Sequence, residues 1–374
     1  MPCTWERVFG TSEDDKAQGA TAHPDGGFVA VGNSRLRNGH DYDAWILHFS
    51  DAGHLLWNRS LGGAGADQLY DVARGADGGF MAVGHTRSRG NGESDAWLVK
   101  VALDGDPVFD GAIGGPGNDR ARAVAALPGG GFAVAGFSAS TGEGDRDLWV
   151  LRLDAAGRVV WQRTYGGPGH DAAYDVAALA NGDIAVAGVS RGGAAHGHDA
   201  WVLRLDPQGE ITWQRRFDSA RFEAATALAA LPGGGLAVAG AVGVNGTLSD
   251  DLWIARLDAD GTTAWHDRLG GAGRDTPWGL ARAADGSLLV AAVTWTDDAG
   301  AGDLWLLGID SDGAVAWERR FGGRYWDKPT GLLSLPDGML MVGHTSSQGF
   351  GFEDGWLLRL DGRGELRARR PEAR

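Results

Sequence analysis

Three histidines lie close enough in the sequence to suggest a metal site. His196 and His198 are separated by one residue, so an extended chain points both side chains the same way, and His170 precedes them in another predicted loop. Imidazole nitrogens bind Zn²⁺ and similar ions, and the carboxylates of Asp171 or Asp199 could complete the site. The glycine- and alanine-rich sequence around the pair is equally typical of a solvated loop, so both interpretations stay open.

A recurring acidic residue could attract a cation or a basic ligand. The acid stands beside glycine-rich sequence and returns at a constant spacing of 52 residues. A ring of carboxylates could concentrate Ca²⁺. We favour a structural role, in which each carboxylate accepts hydrogen bonds from backbone N–H groups of its own loop, because this explains the recurrence. The series is Asp15, Asp67, Asp119, Asp171, Glu223, Asp275 and Asp327.

A third group of residues is suited to binding. Aromatic rings cluster near an arginine late in the sequence, a composition common in binding surfaces. The alternative is that these rings fill gaps between structural units. The group comprises Trp278, Trp295, Arg324, Tyr325, Trp326, Phe350 and Phe352.

The sequence contains no convincing catalytic motif. Gly188–Gly192 matches the Gly-x-Ser-x-Gly pattern, but a nucleophile elbow needs a strand-to-helix turn, and the flanking pattern predicts only strands. Phosphate-binding loops and zinc-protease helices are absent from the sequence. We therefore predict no catalytic residue and no cofactor.

The elements that position these residues follow from an internal repeat. The triplet Asp-x-Trp occurs seven times, spaced by 52 residues five times and then by 51. Such a period indicates a solenoid, a propeller or another array of equivalent units. The triplets begin at Asp43, Asp95, Asp147, Asp199, Asp251, Asp303 and Asp354.

Each repeat predicts four short strands. In the third copy they are Ala121–Leu127, Phe132–Ser138, Asp147–Asp154 and Val159–Tyr165, separated by turns rich in glycine and aspartate. Four strands repeated seven times predict an all-β fold, a seven-bladed β-propeller of four-stranded antiparallel blades. Trp5–Phe9 has the pattern of a fourth strand and is expected to close the last blade. The expected blades of this single domain are 15–61, 67–113, 119–165, 171–217, 223–269, 275–321, and 327–361 with 5–9.

The order of the motifs resembles that of WD40 propellers and, more closely, the tandem propeller repeats of uncharacterised bacterial proteins. Trp-x-Arg-x-x-Gly-Gly at Trp57, Asp-Gly-Gly-Phe at Asp77, Gly-x-Thr at Gly84 and Asp-x-Trp-Leu at Asp95 follow one another as in that family. The resemblance covers the whole chain and implies the fold, but it supplies no catalytic residues. By analogy with WD40 strand order, the glycine-rich loops and the long polar loops share one face.

One position of the first strand varies strongly between blades. Residues common to every blade serve the fold, so variable positions are better candidates for a site. This ring of residues is expected to face the mouth of the central channel, which adds Tyr70, Arg122 and Tyr174 to the binding candidates. The position holds Gln18, Tyr70, Arg122, Tyr174, Thr226, Trp278 and Thr330.

The composition of the sequence limits the kinds of partner that we expect the protein to bind. The net charge of −15 would repel phosphate backbones, so we expect no nucleic acid. No apolar run is long enough to span a bilayer, and the N-terminus lacks a signal-peptide pattern, so we expect a cytoplasmic monomer without membrane contact. The single cysteine, Cys3, excludes an internal disulfide framework.

The function expected from these observations is non-enzymatic binding. The long-loop face would hold a protein, a peptide or a small ligand. One alternative is an enzyme, a hydrolase or lyase, with an active site at the channel mouth that uses Arg122, Tyr174 and the histidines. Another is a sugar-binding lectin, although the variation between blades argues against seven equivalent sugar pockets.

Overall fold

The computed structural model describes residues 4–35, 41–191, 197–217, 222–243, 250–271, 273–295 and 302–366. Within these ranges the chain forms seven four-stranded sheets, so the predicted seven-bladed β-propeller is confirmed. Each sheet is an antiparallel meander in which consecutive strands are neighbours, apart from the blade that β1 closes. Across the same ranges, no helix has the length and apolar character needed to cross a membrane.

The strands follow the chain in order after β1 (Trp5–Phe9). Blade one contains β2–β5: Asp15–Ala22, Phe28–Arg35, Tyr42–Phe49 and Leu55–Leu61. Blade two contains β6–β9: Asp67–Arg74, Phe80–Thr86, Asp95–Val101 and Pro107–Ile113. Blade three contains β10–β13: Asp119–Ala126, Phe132–Ser138, Asp147–Leu153 and Val159–Tyr165. Blade four contains β14–β17: Ala172–Ala178, Ile184–Ser190, Asp199–Leu205 and Ile211–Phe217.

The remaining blades repeat this arrangement. Blade five contains β18–β21: Glu223–Ala230, Leu236–Gly243, Asp250–Leu257 and Thr263–Leu269, with a 3₁₀ turn at Pro232–Gly234. Blade six contains β22–β25: Asp275–Arg282, Leu288–Thr294, Asp303–Ile309 and Val315–Phe321. Blade seven contains β26–β28: Asp327–Leu335, Gly338–Thr345 and Asp354–Leu360. In blade three the second and fourth strands have the predicted bounds, whereas the first begins two residues earlier, at Asp119.

The N-terminal strand closes the ring. β1 pairs antiparallel with β28, from Trp5 opposite Arg359 to Phe9 opposite Gly355, and so becomes the outer strand of blade seven. Trp5 is buried, and its Nε1 donates to the carbonyl oxygen of Asp51 in blade one at 2.8 Å. Closure by residues distant in sequence removes a strand edge that would otherwise be unpaired.

The hydrophobic core lies between neighbouring blades. In blade two, β7 and β8 are buried at every position, because the adjacent blades cover both faces. The outer strand β9 has only exposed and half-buried positions. The tryptophan of each described Asp-x-Trp triplet contributes to these layers, and Trp97 is completely buried.

The outer-strand tryptophans clamp one blade to the next. Trp161 donates its Nε1 to the carbonyl of Pro207, 3.0 Å away in the turn of the following blade. Gly209 in that turn has φ of +83°, and a β-carbon there would lie 3.0 Å from the Trp161 ring. Only glycine combines this backbone conformation with so close an approach. The contact explains why the tryptophan and the turn glycine recur with the same period.

Candidate functional site at the channel mouth

A β-bulge re-aims one residue of every innermost strand. The strand register shifts at the same position in all seven blades, for example between Ala121 and Ala123 around Arg122. A bulge leaves its extra residue unpaired and turns the side chain out of the regular alternation. Here the bulged residues line a central cavity of about 240 Å³. They are Gln18, Tyr70, Arg122, Tyr174, Thr226, Trp278 and Thr330, the variable ring identified in the sequence.

Arg122 is held between two tyrosines of this ring. Its guanidinium carbon lies 5.7 Å from the ring centroid of Tyr70 in blade two and 5.5 Å from that of Tyr174 in blade four. Cation–π attraction to both rings fixes the orientation of the side chain. The Nε atom is buried and has no hydrogen-bond partner among the residues that the structure describes, so a donor remains for a ligand.

Lys328 extends the cationic character of the mouth into blade seven. Its Nζ lies 3.5 Å from the ring centroid of Trp278. Burial, with smaller effects from the positive charges of Lys16 and Arg122, lowers the pKa of Lys328 to about 8 although Glu353 opposes the shift. An anion bound beside these groups would relieve the repulsion between them.

A tyrosine–histidine pair adjoins Arg122. The Tyr70 Oη lies 2.9 Å from Nδ1 of His85, which belongs to the second strand of the same blade. Burial, together with the nearby charge of Arg120, lowers the pKa of His85 to about 3. Burial also raises the pKa of Tyr70. At neutral pH both groups are therefore uncharged, and a single hydrogen bond joins them.

The mouth has a polar half and an apolar half. On the polar side, His344 is buried, its pKa is lowered by burial to about 3, and its Nε2 lies 3.7 Å from a carboxylate oxygen of Glu353, which also pairs with Lys16. On the opposite side, blades three to five contribute a compact apolar cluster. Its buried members are Phe137, Ala172, Val189 and Ala224.

Two aspartates connect the inner strands immediately after the bulges. Asp71 accepts hydrogen bonds from the backbone N–H groups of Val72 at 2.8 Å and of Val124, in the next blade, at 2.9 Å. Asp175 accepts in the same way from Val176 and from Leu228, both at 2.7 Å. Although both carboxyls are partly open to the channel, the surrounding protein raises their pKa values, to about 6 for Asp71 and about 7 for Asp175. The channel therefore carries less negative charge near neutral pH than two ordinary aspartates would give.

The predicted aromatic residues outside the ring lie on loops at the same end of the blades. The rings of Trp295 and Trp326 meet edge to face with centroids 5.2 Å apart. Arg324 lies 5.9 Å from the Tyr325 ring. Phe350 and Phe352 are the most exposed of the large hydrophobic side chains described, at 76% and 79%. Exposure of this extent does not fit rings that fill gaps between blades.

The histidine group is only partly placed. The rings of His170 and His198 lie edge to face with centroids 5.4 Å apart, and His198 also contacts Phe222. His196 lies outside the described residues. Among the residues that are described, no three His, Cys, Asp or Glu side chains are arranged to hold a metal ion.

The recurring acids act as loop caps, as favoured above. The Oδ2 of Asp119 accepts from the backbone N–H of Gly115 at 2.8 Å and from the Ser140 hydroxyl at 2.6 Å. Asp67 and Asp327 make the same pair of bonds in their own loops. Each carboxylate thereby caps the glycine-rich loop before its own strand and also bonds to the loop after the second strand, and the capping role is confirmed for these three blades.

Several residues of the mouth were not identified from the sequence. They lie two positions before the bulge, as Lys16, Arg120 and Lys328 do, or directly after the second-strand glycine, as His85 and His344 do. The position after the second-strand glycine could have been identified from the sequence. It changes between blades, whereas the glycine before it recurs in six of the seven repeats. It holds Asn33, His85, Phe137, Val189, Ala241, Val293 and His344.

Comparison with known proteins supports the fold. No protein-family model matches the chain, and no curated protein sequence matches it. A PL25 ulvan lyase, solved with a bound -[GlcA(1-4)Rha3S]- saccharide, is 11% identical over 96% of both chains, with a TM-score of 0.59. The WD40 domain of Neurospora crassa Pan2 is 12% identical over 91% of this chain and 88% of that one, with a TM-score of 0.53. BBS1N, solved in complex with ARL6DN, is 9% identical over 95% of both chains, also with a TM-score of 0.53. At such identities the likeness concerns the propeller fold alone, which these enzymatic and protein-binding structures share.

Proposed function

We propose that the protein binds an anionic ligand, a saccharide that carries carboxylate groups, at the mouth of its central channel. The observation that carries this proposal is the position of Arg122, fixed between Tyr70 and Tyr174 with a buried donor unused. A planar guanidinium with free donors is suited to a carboxylate, which it can bind through two parallel hydrogen bonds.

The charge distribution supports an anion. The chain has a net charge of −15, yet Lys16, Arg120, Arg122 and Lys328 converge on one end of one channel. Glu353 is the carboxylate paired with Lys16 there, and the raised pKa values of Asp71 and Asp175 reduce further negative charge. Basic groups inside a low-dielectric funnel focus the field and raise the local concentration of anions.

The aromatic residues support a sugar as the body of the ligand. Sugar rings present apolar faces that pack on aromatic side chains, and Trp278 supplies such a face inside the channel. We assign Tyr325, Trp326, Phe350 and Phe352 to further units of an extended chain. The ulvan lyase, whose bound saccharide contains glucuronic acid, offers a precedent for this ligand class on the same fold.

The test is binding of trigalacturonate, measured by calorimetry, to the wild type and to an Arg122→Gln variant. The variant should bind at least tenfold more weakly, because the carboxylate loses its charged partner. Arg152→Gln is the matched control, since Arg152 bonds to the Pro207 carbonyl in a turn at the other end of the blades. Equal affinity of Arg122→Gln and the wild type, or no saturable binding to either, would refute the proposal.

A second candidate function is elimination at a uronate, favoured by the Tyr70–His85 pair beside Arg122. In that reaction Arg122 would neutralise the carboxylate and a base would remove the adjacent carbon-bound proton. The electron pair would form a C4–C5 double bond while the C4–O bond breaks and the leaving oxygen takes up a proton. The unsaturated product absorbs in the ultraviolet. Tyr70→Phe should abolish the absorbance increase on polygalacturonate and leave binding of trigalacturonate intact; no increase with the wild type would exclude lyase activity on this polymer but not binding.

A further inference from the structure

A basic residue of the third strand connects successive blades on the face opposite the channel mouth. Lys100 bonds to the carbonyl of Ala155, and Arg152 donates to that of Pro207 at 2.9 Å. Arg204 donates to the carbonyl of Ala259 at 2.8 Å, to that of Gly234 at 3.1 Å and to the carboxylate of Asp183 at 2.8 Å. In these three blades the hydrogen bonds of the basic side chain are made within the protein.

Arg256, at the same position in blade five, departs from this pattern. Within the described part of the chain its guanidinium has neither a hydrogen-bond partner nor an ion-pair partner. The residue that corresponds to Asp183 is Gly235, so the carboxylate is missing. The carbonyl of Ser311 is equivalent to that of Ala259, and among the described side chains it accepts a hydrogen bond only from the Nε1 of Trp265, at 3.1 Å.

The unused arginine borders a cleft between blades five and six. The cleft has a volume of about 200 Å³, which suits a small molecule. Pro232 and Leu288 supply apolar walls, and Trp265 lines the cleft while its N–H is occupied by Ser311. Arg282 adds a second positive charge.

We propose that this cleft binds a small organic carboxylate with an apolar or aromatic body. Arg256 would pair with the carboxylate, and Trp265 and Leu288 would contact the body. The carboxylate of Asp310 also lines the cleft, with its Oδ1 capping Asp312 and Ala314 at 3.0 and 2.9 Å. Its charge disfavours a second acidic group on the ligand, so a monoanion fits best. This site is separate from the channel and uses none of its residues.

The probe pair is N-acetylphenylalanine and its amide, which differ only in the carboxylate. Titration followed by NMR should give saturable binding of the acid, with shifts at the Trp265 indole, and no saturable binding of the amide. Arg256→Gln should weaken binding of the acid at least tenfold. Arg152 occupies the equivalent position in blade three, and its donor is already used by Pro207. Arg152→Gln should therefore leave binding of the acid unchanged, as should Arg122→Gln in the channel. Thermal unfolding verifies that all three variants are folded before they are titrated.

The carboxylate could belong to a free small molecule or to the C-terminus of a peptide. A pentapeptide ending in phenylalanine distinguishes them, since tighter binding than the single residue identifies a peptide terminus and weaker binding identifies a free acid. Equal binding of the acid and its amide would overturn the proposal. So would equal losses in Arg256→Gln and Arg152→Gln, or the absence of saturable binding in the wild type.

Discussion

The phenolic oxygen of Tyr70 lies 2.9 Å from Nδ1 of His85, inside the channel and beside the guanidinium of Arg122. The two residues belong to adjacent strands of blade two and meet because the bulge at Tyr70 turns its ring into the channel. Their neighbourhood is poorly hydrated and basic, and both effects disfavour the imidazolium and keep the imidazole neutral.

We therefore expect His85 to remain unprotonated through the physiological range. Because its pKa is lowered to about 3, its ring signals in an NMR titration should not change between pH 8 and pH 5. The Arg120→Gln variant removes the neighbouring charge that has the largest effect on His85 and should therefore raise the pKa of His85. A protonation midpoint above about pH 5 in the wild type would contradict the burial of this pair.

Asp175 should make the stability of the protein depend on pH with an unusual sign. The pKa of its carboxyl is 3.8 in an unfolded chain and about 7 in the folded protein, so folding favours the protonated form. That stabilisation is complete below about pH 4 and is lost as pH rises through about 7. Between pH 5 and pH 8 the wild type should lose thermal stability relative to Asp175→Asn, which cannot ionise.

The control for this prediction is Asp145→Asn, because Asp145 is exposed on a loop. It should follow the wild type across the same pH range. Identical pH dependence of the wild type and Asp175→Asn would show that the carboxyl is ionised in the folded protein as it is in the unfolded chain.

Ring closure depends on a short N-terminal segment. Deletion of residues 1–10 removes β1, exposes the edge of β28 and uncovers the core beneath Trp5, so the unfolding temperature should fall sharply. Deletion of 367–374, which lies outside the described residues, should change little. Similar melting temperatures for the two truncations would refute closure by the N-terminal strand.

Substitution of two tryptophans distinguishes a role in ligand binding from a role in the hydrophobic core. Trp97 is completely buried, so Trp97→Ala should cost about 3–5 kcal/mol of stability. Trp278 is 38% exposed in the channel, so Trp278→Ala should change stability by no more than about 1 kcal/mol. It should weaken trigalacturonate binding by about 2 kcal/mol, the effect of losing an aromatic anchor. A large loss of stability in Trp278→Ala would assign this ring to the core instead.

The propeller was predictable because its determinants are local and repeated. The Asp-x-Trp period, the turn glycines and the strand alternation each specify one blade, and the fourth-strand pattern of Trp5–Phe9 indicated how the ring closes. The channel site depends on contacts between blades. Arg122 meets Tyr70 and Tyr174 only because three bulged positions, 52 residues apart, face the same space.

The unpredicted part of the site arises from burial. His85, His344 and Lys328 look like ordinary strand residues, and their lowered pKa values result from neighbours that only the closed ring brings together. Comparing the seven repeats at the position after the second-strand glycine would have identified both His85 and His344. The resemblance to bacterial tandem propeller repeats, beyond the propeller fold itself, stays a prediction.

The central claim is that the channel mouth selects a carboxylate on a sugar. Its most direct test is calorimetric titration of the wild type with trigalacturonate and with the same trisaccharide after reduction of its carboxyl groups to alcohols. We predict at least tenfold tighter binding of the acidic form at low ionic strength, with a difference that narrows as added salt screens the channel charges. Equal affinities for the two saccharides, at low and at high salt, would contradict the account.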